Sequence, residues 1–494
     1  MRLFVLGGGI AGVCCAEELS RLSKSSDSVT LVSSDNILKG VSDVVKITNS
    51  IESFRVIEKD LASLQHPNLD IVIGVARRVD TSSKVVFLTD GSEHLYDKLC
   101  ICTGALPKAV AEGKHVLVLR DRDTVESLAR RMRHARRIAI VGNGGIAMEL
   151  AFSLHGVEVV WVARHQHIGD AFFDVDAAQF LLQQLQNSRG KQAITADGGG
   201  ASAEAVRKTR PSTEAGKAPQ SSAVHPRCLP AGIRCDAQHA GVQYGHAVGP
   251  QWSRSLPSGA AQDNLHLELN CEIQSIEEPR VEGEEAYPVV LHLSNGASYG
   301  CDVVVSATGV IPETFWLPEC LERGADGSLL VDREMQTSVA DVWAAGDVCA
   351  MRTDEQEPFW FQMRLWTQAR QMGMYAAHCM LGSTADTGTG FAFELFTHAT
   401  RFMGQKVVLL GLYNGQRLEK EPESNVVMYS RADEGDNPTF VRVLLLRGKM
   451  AGAVLIGETG LEETFENLIL DGLDLSSYGP ALLDPDVEID HMFD

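Results

Sequence analysis

The chain opens on Leu3–Gly12, LFVLGGGIAG, followed directly by VCCAEELSRL. An apolar run ends in Gly7, Gly9 and Gly12, spaced G-x-G-x-x-G, and a helix-like stretch begins at once, so the segment reads as strand, turn and helix. Each glycine has its own physical reason. Gly7 makes the tight turn, Gly9 lets backbone approach a pyrophosphate, and Gly12 lets the helix lie close to the strand. The free N–H groups at the start of the helix then offer the pyrophosphate its donors. Glycine-rich turns are common, and one of them decides little. A second unit does decide the fold: Arg137–Arg164, RIAIVGNGGIAMELAFSLHGVEVVWVAR. Its turn is Gly142, Gly144 and Ala147, a G-x-G-x-x-A variant in which alanine still permits close packing.

The strand after each helix bears on the ligand. In the first unit, SVTLVSSD ends on Ser33 and Ser34, with Asp35 just beyond, where dinucleotide folds usually carry an acid for the ribose hydroxyls. A serine can still hydrogen-bond a hydroxyl. The second unit ends on Ala163 and Arg164, with no carboxylate to repel a 2′-phosphate and an arginine to attract one. NADPH acceptance is expected there; the competing reading is that Arg164 is a solvated surface residue. Two other apolar strands leave their sheets alike. LCICTGALP exits through Thr103-Gly104 to Pro107, and VVVSATGVIP through Thr308-Gly309 to Pro312. Later, DVWAAGDVC carries Gly346-Asp347.

At 494 residues the chain needs two or three domains. A net charge of −21 repels polyanions, so direct nucleic-acid binding is not expected. No apolar run is long enough to span a bilayer, and the glycines of the first turn cut short any signal-peptide core. Eleven cysteines, an odd number without a C-x-x-C, read as buried free thiols in a reducing compartment, the cytoplasm or nucleus; no metal site stands out. From Asn187 to Gln262 the chain turns rich in Gly, Ala, Ser and Pro and becomes basic, which reads as an insertion without regular structure.

Two glycine fingerprints, two strand–Thr-Gly–Pro exits and a late Ala-Gly-Asp, in that order, resemble the FAD- and NAD(P)H-dependent pyridine nucleotide-disulfide oxidoreductases. The resemblance implies an α/β fold with two Rossmann-like dinucleotide-binding domains and a C-terminal α+β domain. FAD-binding segments would span 1–112 and 303–382, an NAD(P)-binding domain 113–302 with its insertion at 187–262, and the C-terminal domain 383–494. It implies that Gly7, Gly9 and Gly12 hold the FAD pyrophosphate and Asp347 the ribityl chain. Gly142, Gly144 and Ala147 would hold NADPH or NADH. Glu149 falls where related reductases place a glutamate paired with a lysine beside the flavin, and Lys39 or Lys46 would be that lysine. Lys39 is preferred because it follows the second strand at about the depth of the flavin ring.

One departure matters most. Reductases of this class place a cysteine pair, or one catalytic cysteine, against the flavin in the segment after the second strand, and residues 36–56 contain no cysteine. Cys14 and Cys15 are adjacent on the first helix and point to different sides. His398 is the histidine that could be named near the C-terminus, with a packed or surface role the stronger reading. The expected chemistry is hydride transfer from the nicotinamide to FAD and on to an acceptor without an active-site cysteine pair, in oxidative-stress defence. The alternatives are a quinone, O₂ or electron-carrier acceptor, or a flavoprotein that binds and shields an oxidation-sensitive protein client. Related reductases are often homodimers through the C-terminal domain, which sets the same expectation here.

Overall fold

Apolar runs punctuated by glycine become strands that leave their sheet abruptly, and the computed structural model shows this twice. It describes residues 1–60, 64, 66–119, 122–189, 194–196, 207–209, 264–279, 286–352, 354, 356–383 and 393–484. Two compact units form, Met1–Leu106 with Val310–His398, and Pro107–Gly309 with Ala399–Asp494. In chain order the elements begin with β1 (Arg2–Leu6), α1 (Ile10–Leu22), β2 (Ser28–Ser33), β3 (Ile37–Lys46), β4 (Glu52–Asp60) and β5 (Leu69–Ile73). Next come β6 (Ala76–Asp80), β7 (Val85–Leu88), β8 (Glu93–Leu95), β9 (Lys98–Ile101) and β10 (Ala105–Pro107). The second unit starts with β11 (Val116–Val118), α2 (Arg122–Met132), β12 (Arg137–Val141), α3 (Gly145–Ser153), β13 (Glu158–Val162) and α4 (Val175–Arg189). It continues through β14 (Ile194–Ala196), β15 (Arg207–Thr209), β16 (Leu265–Glu268), β17 (Ile273–Glu277), β18 (Val289–Leu293), β19 (Ser298–Cys301) and β20 (Val303–Ser306). The chain returns to the first unit for β21 (Val310–Pro312), β22 (Leu329–Val331), β23 (Val342–Ala344), β24 (Cys349–Met351) and α5 (Trp366–Leu381). It ends in β25 (Thr397–Phe402), β26 (Gln405–Gly411), β27 (Val426–Asp433), β28 (Thr439–Leu446), β29 (Lys449–Ile456) and α6 (Glu462–Asp471).

The first unit is built on a parallel sheet of order β23-β9-β1-β2-β5. The second has a parallel sheet of order β11-β20-β12-β13-β16-β14. Central strands carry apolar residues on both faces, as covered parallel sheets require: Val5, Leu31 and Cys100 in the first, Ile140, Trp161 and Val305 in the second, all fully buried. In each sheet the glycine-ended strand, β1 or β12, sits where the strand order reverses, with its sequence successor on one side and the Thr-Gly strand on the other. Ligands of open α/β sheets bind at that switch point, beyond the C-terminal strand ends.

The second unit also holds an antiparallel sheet, β15-β27-β28-β29-β26-β25. From β28, Phe440 meets Phe180 of α4 with ring centroids 5.7 Å apart, and the fully buried Arg442 pairs with Asp174 and, at 2.9 Å, with Asp176. Helix α6 packs against β29 and β26. No helix among the described residues is long and apolar enough to cross a membrane.

Three local readings gain detail. DGSLLVDREMQTSVADVWAAGDVC reads as a strand hairpin, and Gln336 does bridge Trp343 antiparallel, with Thr337 N donating to Val342 O at 2.9 Å and Ala344 N to Met335 O at 3.1 Å; in addition β22 pairs in parallel with β24, and β23 joins the parallel sheet beside β9. All three residues of β23 are buried, because the strand has a partner in the parallel sheet as well as the hairpin bridge. Strand and turn chemistry over residues 70–105 suits a small meander, and the run IVIGVARRVD divides, β5 entering the parallel sheet and β6 the antiparallel meander β6-β7-β8. The insertion expected at 187–262 lies mostly outside the described residues. Within it, however, β14 and β15 take edge positions in two sheets, where unpaired backbone groups accept a short strand of almost any sequence.

Candidate dinucleotide sites

At the end of β1, Gly7 turns the chain out of the sheet with φ +124°, and its N–H donates to Val32 O at 2.8 Å. A Cβ on Gly7 would overlap the carbonyl oxygen of Cys102, and one on Gly12 would overlap that of Gly7. The protein's own packing therefore demands both glycines. Gly9 differs: a Cβ there would meet nothing within 4 Å. It caps α1 without a side-chain bond, and the first helical bond runs from Val13 N to Gly9 O at 2.9 Å. The N–H groups ahead of Val13 have no helical acceptor.

Several predicted residues gather around this turn. Ser33 is buried, and its Oγ accepts from Asp35 N at 3.2 Å. The Lys39 N–H donates to Gly8 O at 3.1 Å, whereas Lys46 stands exposed at the far end of β3. Thr103 follows Cys102 out of the sheet, its Oγ1 donating to Glu313 O at 3.2 Å, and Gly104 O accepts from Glu313 N at 3.0 Å. Gly346 rests on the first turn of α1, where a Cβ would come within 2.8 Å of Ala11 Cβ. Burial pushes the Asp347 carboxyl above the usual carboxylate range, and the charges of Arg364 and Lys39 pull it back. Sequence reasoning missed Arg364, which donates from Nε to Asp347 O at 3.2 Å and from its other end to Asp326 at 2.5 Å and Ser328 Oγ at 2.8 Å. It also missed Gly373 of α5, where a Cβ would overlap the Ala11 carbonyl, so that α5 can lie directly on α1.

The second turn repeats this construction. Gly142 has φ +136°, donates to Val162 O at 3.0 Å, and would overlap the Ala307 carbonyl if it carried a Cβ. Gly144 caps α3, and a Cβ there meets nothing within 4 Å. Ala147 is fully buried against the turn. Thr308 Oγ1 donates to Lys108 O at 2.9 Å, and Gly309 O accepts from Lys108 N at 2.9 Å. Arg164 lies just past β13, mostly exposed, in a loose 3.7 Å pair with Glu272. Glu149 is buried on α3 in this unit, while Lys39 belongs to the first. Asn143 was missed. Its Nδ2 donates to His167 O at 2.8 Å and Asp170 Oδ1 at 2.7 Å, and its Oδ1 accepts from Gly169 N at 2.8 Å. The available signal was an asparagine standing where the first turn has Gly8.

The cysteine-free segment forms the long antiparallel hairpin β3–β4. Cys14, Cys15, Cys100, Cys102 and Cys349 are buried and free; burial pushes the Cys14 thiol up to about 12, and such thiols stay protonated and inert. Among the described cysteines Cys320 is the exposed one, and Cys228 and Cys235 lie outside the described residues. His398 is packed: burial pushes its imidazole down to about 4, and Nδ1 lies 3.2 Å from Thr367 Oγ1.

Paired open glycines, each at the switch point of a parallel sheet, define a two-dinucleotide oxidoreductase fold. The family model described as pyridine nucleotide-disulphide oxidoreductase matches residues 1–197 and 242–373. A relative from Pongo abelii, pyridine nucleotide-disulfide oxidoreductase domain-containing protein 1, is 39% identical over 522 residues, covering 100% of this chain and 98% of its own. The chain belongs to the pyridine nucleotide-disulfide oxidoreductase family, FAD-dependent enzymes that use a pyridine nucleotide. Solved structures share the fold. An engineered water-forming NADPH oxidase bound to NADPH has a TM-score of 0.66 at 15% identity, covering 99% of this chain and 95% of its own. A covalent putidaredoxin reductase–putidaredoxin complex has a TM-score of 0.65 at 14% identity, covering 100% and 98%.

Proposed function

We propose that the first turn holds FAD, the second holds NADPH or NADH, and the protein passes electrons from the nucleotide to an acceptor without an intervening cysteine pair. One observation carries this reading: apart from their chain neighbours and their own helix backbone, no part of the protein comes within 4 Å of a Cβ placed on Gly9 or Gly144, so the approach to each helix N-terminus is open. Residues that fit a pyrophosphate are thus present twice. Bound FAD supplies the redox chemistry, accepting a hydride from a nicotinamide and releasing its electrons onward. The chain's own residues bind and orient. Asp347 offers a half-buried carboxylate to ribityl hydroxyls, and Ser33 a hydroxyl to a ribose. Lys39, whose N–H donates to Gly8 O at 3.1 Å, supplies a fixed charge to the flavin surroundings.

Arg164 attracts a 2′-phosphate. The engineered oxidase bound to NADPH carries successive Asp→Ala and Ala→Arg changes, and Ala163–Arg164 sets the same dipeptide at the end of β13. The acceptor is a small molecule such as a quinone or O₂, or a protein. The reductase–redoxin complex among the fold's relatives favours a protein, either as electron carrier or as an oxidation-sensitive client. A place in oxidative-stress defence, in the cytoplasm or nucleus, goes with either. A homodimer would have to avoid the covered faces of the antiparallel sheet and use an edge or the outside of α6.

The test is an anaerobic titration of the purified protein with NADPH and then NADH, following the flavin spectrum. Bleaching complete at about one equivalent, with no further uptake, is expected of a lone flavin. Uptake of two equivalents would restore a cysteine pair, and absence of bound flavin would end the reading.

A further inference from the structure

Asn143 stands between Gly142, which makes the second turn, and Gly144, which leaves it open. Its side chain is nine-tenths buried, and both of its N–H donors and its carbonyl oxygen go to one short segment, His167–Asp170. A side chain engaged wholly in this way is a cross-link between turn and segment. The segment is the continuation of β13 past Arg164. Its own geometry is tied back at Asp170, whose second oxygen lies 2.6 Å from His165 Nδ1, and at His165 O, which accepts from Asn270 N at 3.0 Å. The turn that would carry the pyrophosphate and the residues that would meet the adenosine ribose are therefore one mechanical piece, joined through the Asn143 amide.

We infer that Asn143 is a positioning residue for nucleotide selectivity: it fixes the Arg164–Asp170 segment against the second turn so that a 2′-phosphate is read together with the pyrophosphate. This rests on the assignment of the second turn to NADPH or NADH. A purely structural Asn143 would affect all nucleotides alike; a positioning one affects those with a 2′-phosphate more.

The experiment uses the FAD-loaded full chain and two probes, 2′,5′-ADP and 5′-ADP, whose dissociation constants are measured by calorimetry on wild type and Asn143→Ala, with thermal unfolding run beside them. The expected result is a loss of about tenfold for 2′,5′-ADP and only about two- to threefold for 5′-ADP, since a misplaced group costs most where geometry matters most. Asp170→Asn keeps an oxygen for the Asn143 amide and removes a negative charge, so 2′,5′-ADP should bind it at least as tightly as wild type. If Asn143→Ala does not fold, Asn143→Ser, too short to reach all three partners, should show the same uneven loss. Equal losses for the two probes, no loss, or a wild type without preference for 2′,5′-ADP would each overturn the inference. A wild type that binds neither probe would overturn the assignment of the second turn itself, and the inference with it.

Discussion

In the first turn the residue after the leading glycine is Gly8, and a Cβ there would overlap the buried Ser33 hydroxyl; in the second it is Asn143, and the position matching Ser33 holds the smaller Ala163. One residue further on, both turns carry the open glycine. Three places beyond that, the first needs Gly12, because any Cβ strikes the Gly7 carbonyl, whereas the second takes Ala147. The first turn is thus closed by its own backbone and lies beneath a second helix, α5, set directly on α1. The second is held by a side chain that reaches out to a neighbouring segment. One plan thus yields a turn closed by backbone packing and a turn held by a side-chain cross-link.

This contrast can be broken most sharply at the packing glycines. Gly7→Val combines a left-handed φ with overlap against backbone and should cost about 3 kcal/mol or more, read by chemical denaturation. Gly12→Ala should cost about 2 kcal/mol, while the converse Ala147→Gly should cost only about 1 kcal/mol, the usual penalty of glycine in a helix. Equal effects at Gly12 and Ala147 would mean that the two helices approach their strands equally closely.

A smaller effect is expected at the end of β13. Arg164→Ala should weaken NADPH about five- to tenfold and leave NADH nearly unchanged in nucleotide titrations, as befits an exposed charge. Loss of both would point to a general rather than a 2′-phosphate role.

The smallest effect is a pH dependence confined to the first unit. Burial alone would raise the Glu18 carboxyl, but Arg21 at 2.6 Å and His378 at 2.9 Å hold it below the usual carboxylate range. A lowered carboxyl stabilises the fold above the range where a free glutamate titrates, and that contribution is lost as pH falls through its own lower value. Glu18→Gln should therefore flatten the acid limb of the stability profile. The matching position on α3 is Ser153, so Ser153→Ala should leave that limb unchanged.

Both turns, both Thr-Gly exits and the parallel sheets were legible in the sequence because each is a local pattern: glycine spacing, a continuous apolar run, a helix beginning directly after. Lys39 and Asp347 were singled out only through the family resemblance, and the structure sets both near the first turn. Less local arrangements were not legible. The pairing of β22 with β24 joins residues some twenty positions apart past an intervening strand, and nothing in either short run specifies its partner. Arg364 and Asn143 act on groups contributed by other segments, and a lone Arg or Asn gives no periodic signal of what lies across from it.

The most direct measurement compares Gly9→Leu with Gly144→Leu, two substitutions at positions where a Cβ meets no other segment of the protein within 4 Å. Both variants should fold with near wild-type stability. Gly9→Leu should purify without flavin; Gly144→Leu should keep its flavin yet bind NADPH at least about a hundredfold more weakly, so that the flavin no longer bleaches at ordinary concentrations. Loss of flavin from both variants, or from neither, would contradict the assignment of one dinucleotide to each turn.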